Sequence, residues 1–295
     1  MDEEYAPPSY NTIKTGAFLK MSLKSPVEIA KCACSLATTK GSLSFKNMLV
    51  LGFFGGAYIA FGSYFMIVVT QDAAQFVGLG LSKLFGGVVF SVGLLMVTVS
   101  GAELFTGNCL MPIGVLSGSV SFGKLLKNWV VVYCANFIGS ILLAWIVYKS
   151  GLATNTSGVN ALNIAIAKAN IPFSQALFRG ILCNWLLIIA VWMALSAKDV
   201  INKFICILMP ISAFVAMGFE HCIANMFFIS FGMFLKNDII VTELAALAPE
   251  KLATLSIAGL VHNLIPVTIG NIIGGAFFVA TLYYIVFPRA FAEEK

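Results

Sequence analysis

Gly101-Ala102-Glu103-Leu104-Phe105-Thr106-Gly107-Asn108 and Gly218-Phe219-Glu220-His221-Cys222-Ile223-Ala224-Asn225 share the pattern G-x-E-x-x-x-x-N at an offset of 117 residues. Each copy lies inside a long apolar stretch, and of the 13 acidic residues only Glu103 and Glu220 are so placed. A carboxylate at bilayer depth costs roughly 2.5–3.5 kcal/mol on insertion scales, so its presence points to function. Two of them in matching patterns indicate a duplicated half with a polar centre between the copies, the plan of a membrane transport path.

Composition sets the solvent. The chain of 295 residues is 59% hydrophobic and 11% charged, with a mean hydropathy of +0.94; a soluble domain carries about 25% charged residues. So much apolar surface needs lipid around it, and an integral protein of the cell (plasma) membrane is expected. The net charge of +5 is scattered, with no basic stripe and no nucleic-acid motif, so it carries topology rather than a nucleic-acid partner. The seven cysteines include no C-x-x-C pair, and five of them lie in apolar segments as small buried hydrophobes. No motif assigns the chain an enzymatic reaction, a cofactor or a metal.

Six spans are expected, at about 48–70, 84–114, 125–148, 176–195, 204–235 and 261–287. One crossing takes about 20 apolar residues, so the second and fifth are too long, and both are interrupted: near Gly101 to Gly107, and around Gly218 to Asn225. Irregular backbone at that depth is tolerated only where protein or a water-filled cavity surrounds it. A second pattern, N-x7-N-x2-G, links Asn128, Asn136 and Gly139 to Asn263, Asn271 and Gly274 at an offset of 135 residues. The chain then divides into a segment 1–47, a three-helix repeat 48–148, a connection 149–175, a second repeat 176–287 and a tail 288–295. Three is odd, so the copies enter the membrane from opposite sides and the repeat is inverted.

Counting Lys and Arg gives 12 on the N-terminal side and six in the alternate loops, which places both termini in the cytoplasm and the 149–175 connection outside. Ser25-Pro26-Val27-Glu28 carries an N-cap, a first-turn proline and a capping-box glutamate, predicting a short helix along the inner face. Gly52/Gly56 and Gly270/Gly274 have the spacing of close helix contacts.

His221 is the sharpest single residue. Its imidazole, with an ordinary pKa near about 6.5, can pass a proton; alternatively it only fastens carbonyls freed by the helix break. His262, at the start of the sixth span, reads as a solvated end residue. Glu103 and Glu220 are expected to accept from orphan N–H groups at the half-helix starts, and Glu220 also to tune the basicity of His221. Asn108, Asn225, Asn136 and Asn271 are expected to fasten freed backbone. On residue type alone Phe90, Leu94, Leu104, Leu187 and Phe214 are packing residues, and Lys168 is a solvated charge in an outer loop.

These motifs resemble those of the formate/nitrite transporter family over about residues 24 to 289. G-A-E-L-F-T-G-N, Lys127-Asn128-Trp129, G-F-E-H-C-I-A-N-M and N-L-I-P-V-T-I-G-N-I-I-G-G carry the likeness, which is strongest to the formate channels. The resemblance implies an all-α polytopic membrane protein with an aquaporin-like inverted repeat, assembled as a homopentamer with one pore per protomer. It implies that Thr106 and His221 face each other at the pore centre. Phe90 and Phe214 then form the outer constriction and Leu94, Leu104 and Leu187 the inner one. Lys168 falls at a vestibule lysine, and Asn184 and Asn271 at pore-associated asparagines.

A bare anion is too costly to desolvate in an apolar constriction. A small monocarboxylic acid, with a pKa near about 4, is pushed toward its neutral form there. The expected function is therefore transport of a weak-acid anion, formate first, which takes a proton near His221 and crosses neutral. Nitrite, hydrosulfide, acetate and lactate are alternatives by the same route. A haem-bearing membrane anchor is a different class, needing paired histidines at matched depth; a sensor or scaffold leaves two inverted broken helices without a reason.

Overall fold

The structure, a computed structural model, describes residues 23–292; residues 1–22 and 293–295 of the expected cytoplasmic ends lie outside the described residues. The described chain is helical, in the order α1 (Pro26–Gly41), α2 (Phe45–Thr70), α3 (Ala73–Ser100), α4 (Phe105–Asn108), α5 (Pro112–Leu116), α6 (Phe122–Lys149), α7 (Thr156–Ala169), α8 (Phe173–Ser196), α9 (Val200–Ala216), α10 (Cys222–Leu235), α11 (Ile239–Ala245), α12 (Pro249–Ala253) and α13 (Ile257–Ile272). A π-helical stretch, Ile273–Thr281, continues α13 into α14 (Leu282–Val286), and α15 (Arg289–Ala292) follows. Among the described residues five helices are long and apolar enough to cross a bilayer, or six if the bent pair of α10 with α11, at 100°, counts as one span.

The two halves pack alike. α2 lies against α3 and α6, and α8 lies against α9 and α13. Both breaks use the same local conformation: α3 ends on Gly101 at φ 75°, and Gly218 after α9 has φ 75° as well. That left-handed region is open to glycine at no steric cost. The chain then runs extended, through Leu104 at φ −122° and His221 at φ −113°, before the next helix begins.

The capping box of α1 forms as its sequence requires, with Ser25 Oγ accepting from Glu28 N–H and Glu28 accepting from Ser25 N–H. α15 packs against α1, so both described ends lie on one side of the bundle. The connection at 149–175 is not a plain loop. Asn155 caps α7, which buries Ala161, Leu162, Ala165 and Ala169 against the bundle. That spacing of three and four residues is a helical stripe, and it places Lys168 on a helix facing inward.

The small-residue contacts are as close as their spacing suggests. A Cβ on Gly56 would stand 2.0 Å from Asn136 O, and one on Gly274 would stand 2.2 Å from Ile181 O. Both acceptors are backbone, which cannot swing away. Gly274→Ala should therefore lower the thermal stability of the detergent-solubilised protein by about 1–3 kcal/mol, the ordinary cost of overpacking. Gly123→Ala, where an added Cβ meets nothing within 4 Å, is the matched control. Equal unfolding temperatures for the two variants would contradict this packing.

Candidate functional site

Two broken helices leave backbone groups that must be satisfied inside the protein. Asn136 and Asn271 do this in the same way. Asn136 Nδ2 donates to Gly52 O (2.6 Å) and Glu103 O (2.9 Å), while its Oδ1 accepts from Phe105 N–H (2.9 Å). Asn271 Nδ2 donates to Gly180 O (2.8 Å) and Glu220 O (2.9 Å), and its Oδ1 accepts from Cys222 N–H (2.9 Å). One side chain thus ties three segments at each break.

The carboxylates do something other than the sequence suggested. Glu103 and Glu220 do not cap the half-helices: the first N–H of each, on Phe105 and Cys222, goes to Asn136 and Asn271, and the carboxylates take side-chain donors instead. Glu103 pairs with Lys40 and accepts from Asn108 Nδ2 (2.7 Å), and Asn108 Nδ2 also reaches Asn128 Oδ1 (2.7 Å). Glu220 pairs with Lys168 (2.9 Å) and accepts from Asn225 Nδ2 (2.6 Å), which also reaches Asn263 Oδ1 (2.8 Å). Asn108 and Asn225 therefore hold carboxylates rather than backbone. Lys168 is not a solvated charge: its side chain is 15% exposed, and its ammonium also lies over the Phe228 ring at 5.3 Å.

Lys40 is the residue sequence reading passed over, counted only as one of the N-terminal lysines. The repeat held the signal: a buried Glu103 equivalent to Glu220 calls for its own cation, and the inverted copy must take it from the opposite face.

Between the two clusters lies a short apolar zone. His221 sits at the N-cap of α10, where Nδ1 accepts from Ala224 N–H (3.1 Å) and Nε2 meets Thr106 Oγ1 at 2.8 Å. An accepting Nδ1 puts the ring proton of neutral His221 on Nε2, which donates to Thr106; the Thr106 hydroxyl proton is then left to donate elsewhere. Glu220 makes no hydrogen bond to His221, so the expected tuning of its basicity has no direct contact behind it. Phe214 stacks beside His221 (centroids 6.2 Å apart) and meets Phe90 edge to face (5.8 Å, 80°). Leu94, Leu104 and Leu187 are buried. Asn184 Nδ2 donates to Thr106 O (3.2 Å) and Asn271 O (2.7 Å), fixing the segment that carries Thr106.

A cavity opens on each side of this zone. One, of about 530 Å³, is lined by Lys168, Glu220, His221, Phe90 and Phe214; the other, of about 370 Å³, by Lys40, Glu103, Asn108, Leu94 and Leu104. Lys83 and Arg179 share the first and Lys203 the second, so the lysines and arginine lining each cavity come from only one of the two sets that the charge count separated.

A family model described as formate/nitrite transporter matches residues 27–285. The chain belongs to the formate/nitrite transporter family. Among relatives of this transporter family, a probable formate transporter of Methanothermobacter thermautotrophicus is 39% identical, over 91% of this chain and 98% of its own. The formate channel FocA of Escherichia coli K12 is 35% identical, over 90% of this chain and 94% of its own. A solved structure described as a pentameric formate channel with formate bound is 35% identical, with a TM-score of 0.75 over 83% of this chain and 98% of its own.

The haem reading needs paired histidines in like settings, and the two histidines differ: His221 is buried and His262 exposed. Both ring nitrogens of His221 are engaged, and His262 Nε2 bonds Ile171 O (3.2 Å) on a largely exposed residue. Among the described residues no group of three or more His, Cys, Asp or Glu can hold a metal ion.

Each Lys–Glu pair is largely buried, and removing one partner strands the other charge at a cost of up to about 3–5 kcal/mol, the figure for a fully buried pair. Glu220→Gln alone should lower stability by that order, and adding Lys168→Met should restore most of it. Thermal unfolding of the two single variants and the double variant, closed as a double-mutant cycle, measures this. Additive losses would mean that the two charges do not depend on each other.

Proposed function

We propose that this transporter is a channel for small monovalent weak-acid anions, formate foremost, and that the permeant species crosses the apolar zone as the neutral acid. The observation that carries this reading is the alternation of a cationic cavity, a buried apolar stretch holding the Thr106–His221 hydrogen bond, and a second cationic cavity. Charged vestibules concentrate anions, while an apolar ring rejects whatever stays charged. The likeness to formate channels supports formate over nitrite, hydrosulfide, acetate and lactate. In this reading Phe90 and Phe214 form one constriction and Leu94, Leu104 and Leu187 the other.

The hydrogen bonds limit how His221 can serve. Neutral, it presents one N–H, and Thr106 already takes it. To hand on a proton it must first accept one at Nδ1, giving up the 3.1 Å bond from Ala224 N–H. Release from Nε2 through the Thr106 hydroxyl then passes one proton to the carboxylate. The relay is thus tied to opening and remaking the cap of α10. Asn184 and Asn271 hold the backbone against which this happens.

Assembly and placement belong to the same proposal: a homopentamer with one pore per protomer in the plasma membrane, both termini cytoplasmic and 149–175 outside. The related pentameric structure and the separation of the lysine sets support it.

Reconstituted into proteoliposomes, the protein should take up formate faster as external pH falls, close to tenfold per unit where the neutral acid limits flux. His221→Asn keeps a polar side chain at the break but cannot titrate near neutral pH. It should fold, lose most proton-linked uptake and flatten the pH profile. A wild-type profile in a well-folded His221→Asn protein would assign protonation to vestibule water and leave His221 as a fastener.

Phe90→Ala tests the filter. Opening the edge-to-face contact with Phe214 should admit lactate at a rate several times that of the wild type, measured against unchanged or faster formate uptake. An unaltered substrate range in a folded variant would remove Phe90 from the constriction.

A further inference from the structure

The two cavities are built from equivalent frames, yet their charges differ. On the Lys168 side Lys83, Lys168 and Arg179 face one carboxylate, Glu220. On the Lys40 side Lys40 and Lys203 face Glu103. The Lys–Glu pair of each cavity is internally compensated, so the uncompensated charge of the larger cavity rests on Lys83 and Arg179. Neither is in an ion pair among the described residues.

Arg179 stands where the other copy has no charge at all. Glu220 N–H donates to Arg179 O (3.3 Å), as Glu103 N–H donates to Leu51 O (3.0 Å). The neighbours Gly180 and Gly52 both accept from the clamp asparagines. Leu51 and Arg179 are therefore equivalent positions, and each lines its own cavity. The structural duty of this position falls on its carbonyl, which any side chain leaves in place. Arg179 is half-buried as a residue, and among the described residues its guanidinium makes one side-chain hydrogen bond, from Nη2 to Gln175 Oε1 (3.2 Å) on the preceding turn. A guanidinium has five N–H donors in a planar fork that fits a carboxylate with two bonds, and the bond to Gln175 leaves most of them without a partner among the described residues of a side chain that lines the cavity.

Resting on the transport reading above, we propose that Arg179 captures the carboxylate of the permeant acid in the Lys168-side cavity, before the phenylalanine ring, and gives that face the tighter apparent affinity. Partial exposure keeps the contact weak enough for the anion to move on, which conduction requires. The Lys40 side, with Leu51 in that place, receives the same anion without a fork to hold it.

The test measures formate half-saturation separately in right-side-out and inside-out vesicles from expressing cells. Arg179→Leu installs the side chain of the equivalent position. It should raise the half-saturation concentration roughly threefold to tenfold on one face only, as expected for loss of a steering charge. The level reached at equilibrium should not change. Between ionic strengths of about 0.01 M and 0.15 M the Debye length falls from ~30 Å to ~8 Å, so the difference from wild type should shrink with salt. Arg179→Lys keeps charge without the fork: formate should fall between wild type and Arg179→Leu, while hydrosulfide, which has no pair of oxygens, should match wild type. Arg179→Gln serves as a second neutral variant.

If both neutral variants leave the two faces unchanged, or change them alike, the assignment is wrong while the transport reading stands. Wild-type protein that moves no formate from either face defeats the transport reading, and this assignment with it.

Discussion

Backbone left unpaired at the two helix breaks is the constraint on which the rest of the molecule depends. In lipid each unsatisfied group costs several kcal/mol, and each break exposes groups on both sides of an extended segment. Asn136 and Asn271 meet this by using both ends of one amide, donating twice and accepting once. That geometry brings three segments within reach of one side chain, which in turn requires helices without side chains at the crossing. Gly56 and Gly274 supply them, since a Cβ at either would fall on a backbone carbonyl. The glycines follow from the asparagines, and the asparagines from the breaks.

The buried charges follow next. A lone carboxylate at Glu103 or Glu220 would be untenable, and each is instead compensated by a lysine and held by an asparagine amide. Such pairs seldom add net stability, because the loss of hydration offsets the attraction. Their value here is positional: each fixes a polar wall beside a dry zone without placing a net charge there. Lys40 arrives from α1 and Lys168 from α7, so helices outside the main bundle complete each wall.

Much of this was legible in the sequence, for a physical reason. The lipid environment suppresses polar residues wherever they have no task, so Glu103, Glu220, Asn136 and Asn271 stood out against apolar surroundings, and their repetition disclosed the inverted halves. The glycines at 101 and 218 marked the breaks because left-handed backbone selects them. Partners were less legible. Which group Glu220 would contact depends on where α7 docks, and Lys168 looked solvated because a single residue type says nothing of the helix beneath it. Lys40 was hidden among lysines whose number argued only for topology. The π-helical stretch at Ile273–Thr281 left no mark either, because its residues suit an ordinary helix equally well.

The inverted repeat also explains where asymmetry can be afforded. Positions that satisfy backbone must agree in the two copies, whereas positions whose side chains only face the path are free to diverge. At the equivalent N-cap positions one copy has Leu104, without a side-chain cap, and the other has His221, which caps through Nδ1. Two residues on, one copy has Thr106 and the other Ile223. Each half-helix therefore contributes one polar and one apolar group, and the polar ones meet in a single hydrogen bond. A symmetric choice would give no polar group in the apolar zone, two of one kind, or four. With none, a passing acid would find no partner for its hydroxyl; with four, the zone would hold water and lose its power to reject anions. The same freedom acts at Leu51 and Arg179, where a shared carbonyl does the structural task and the side chains differ. Duplication supplied the frame, and divergence at positions the frame does not use supplied the chemistry.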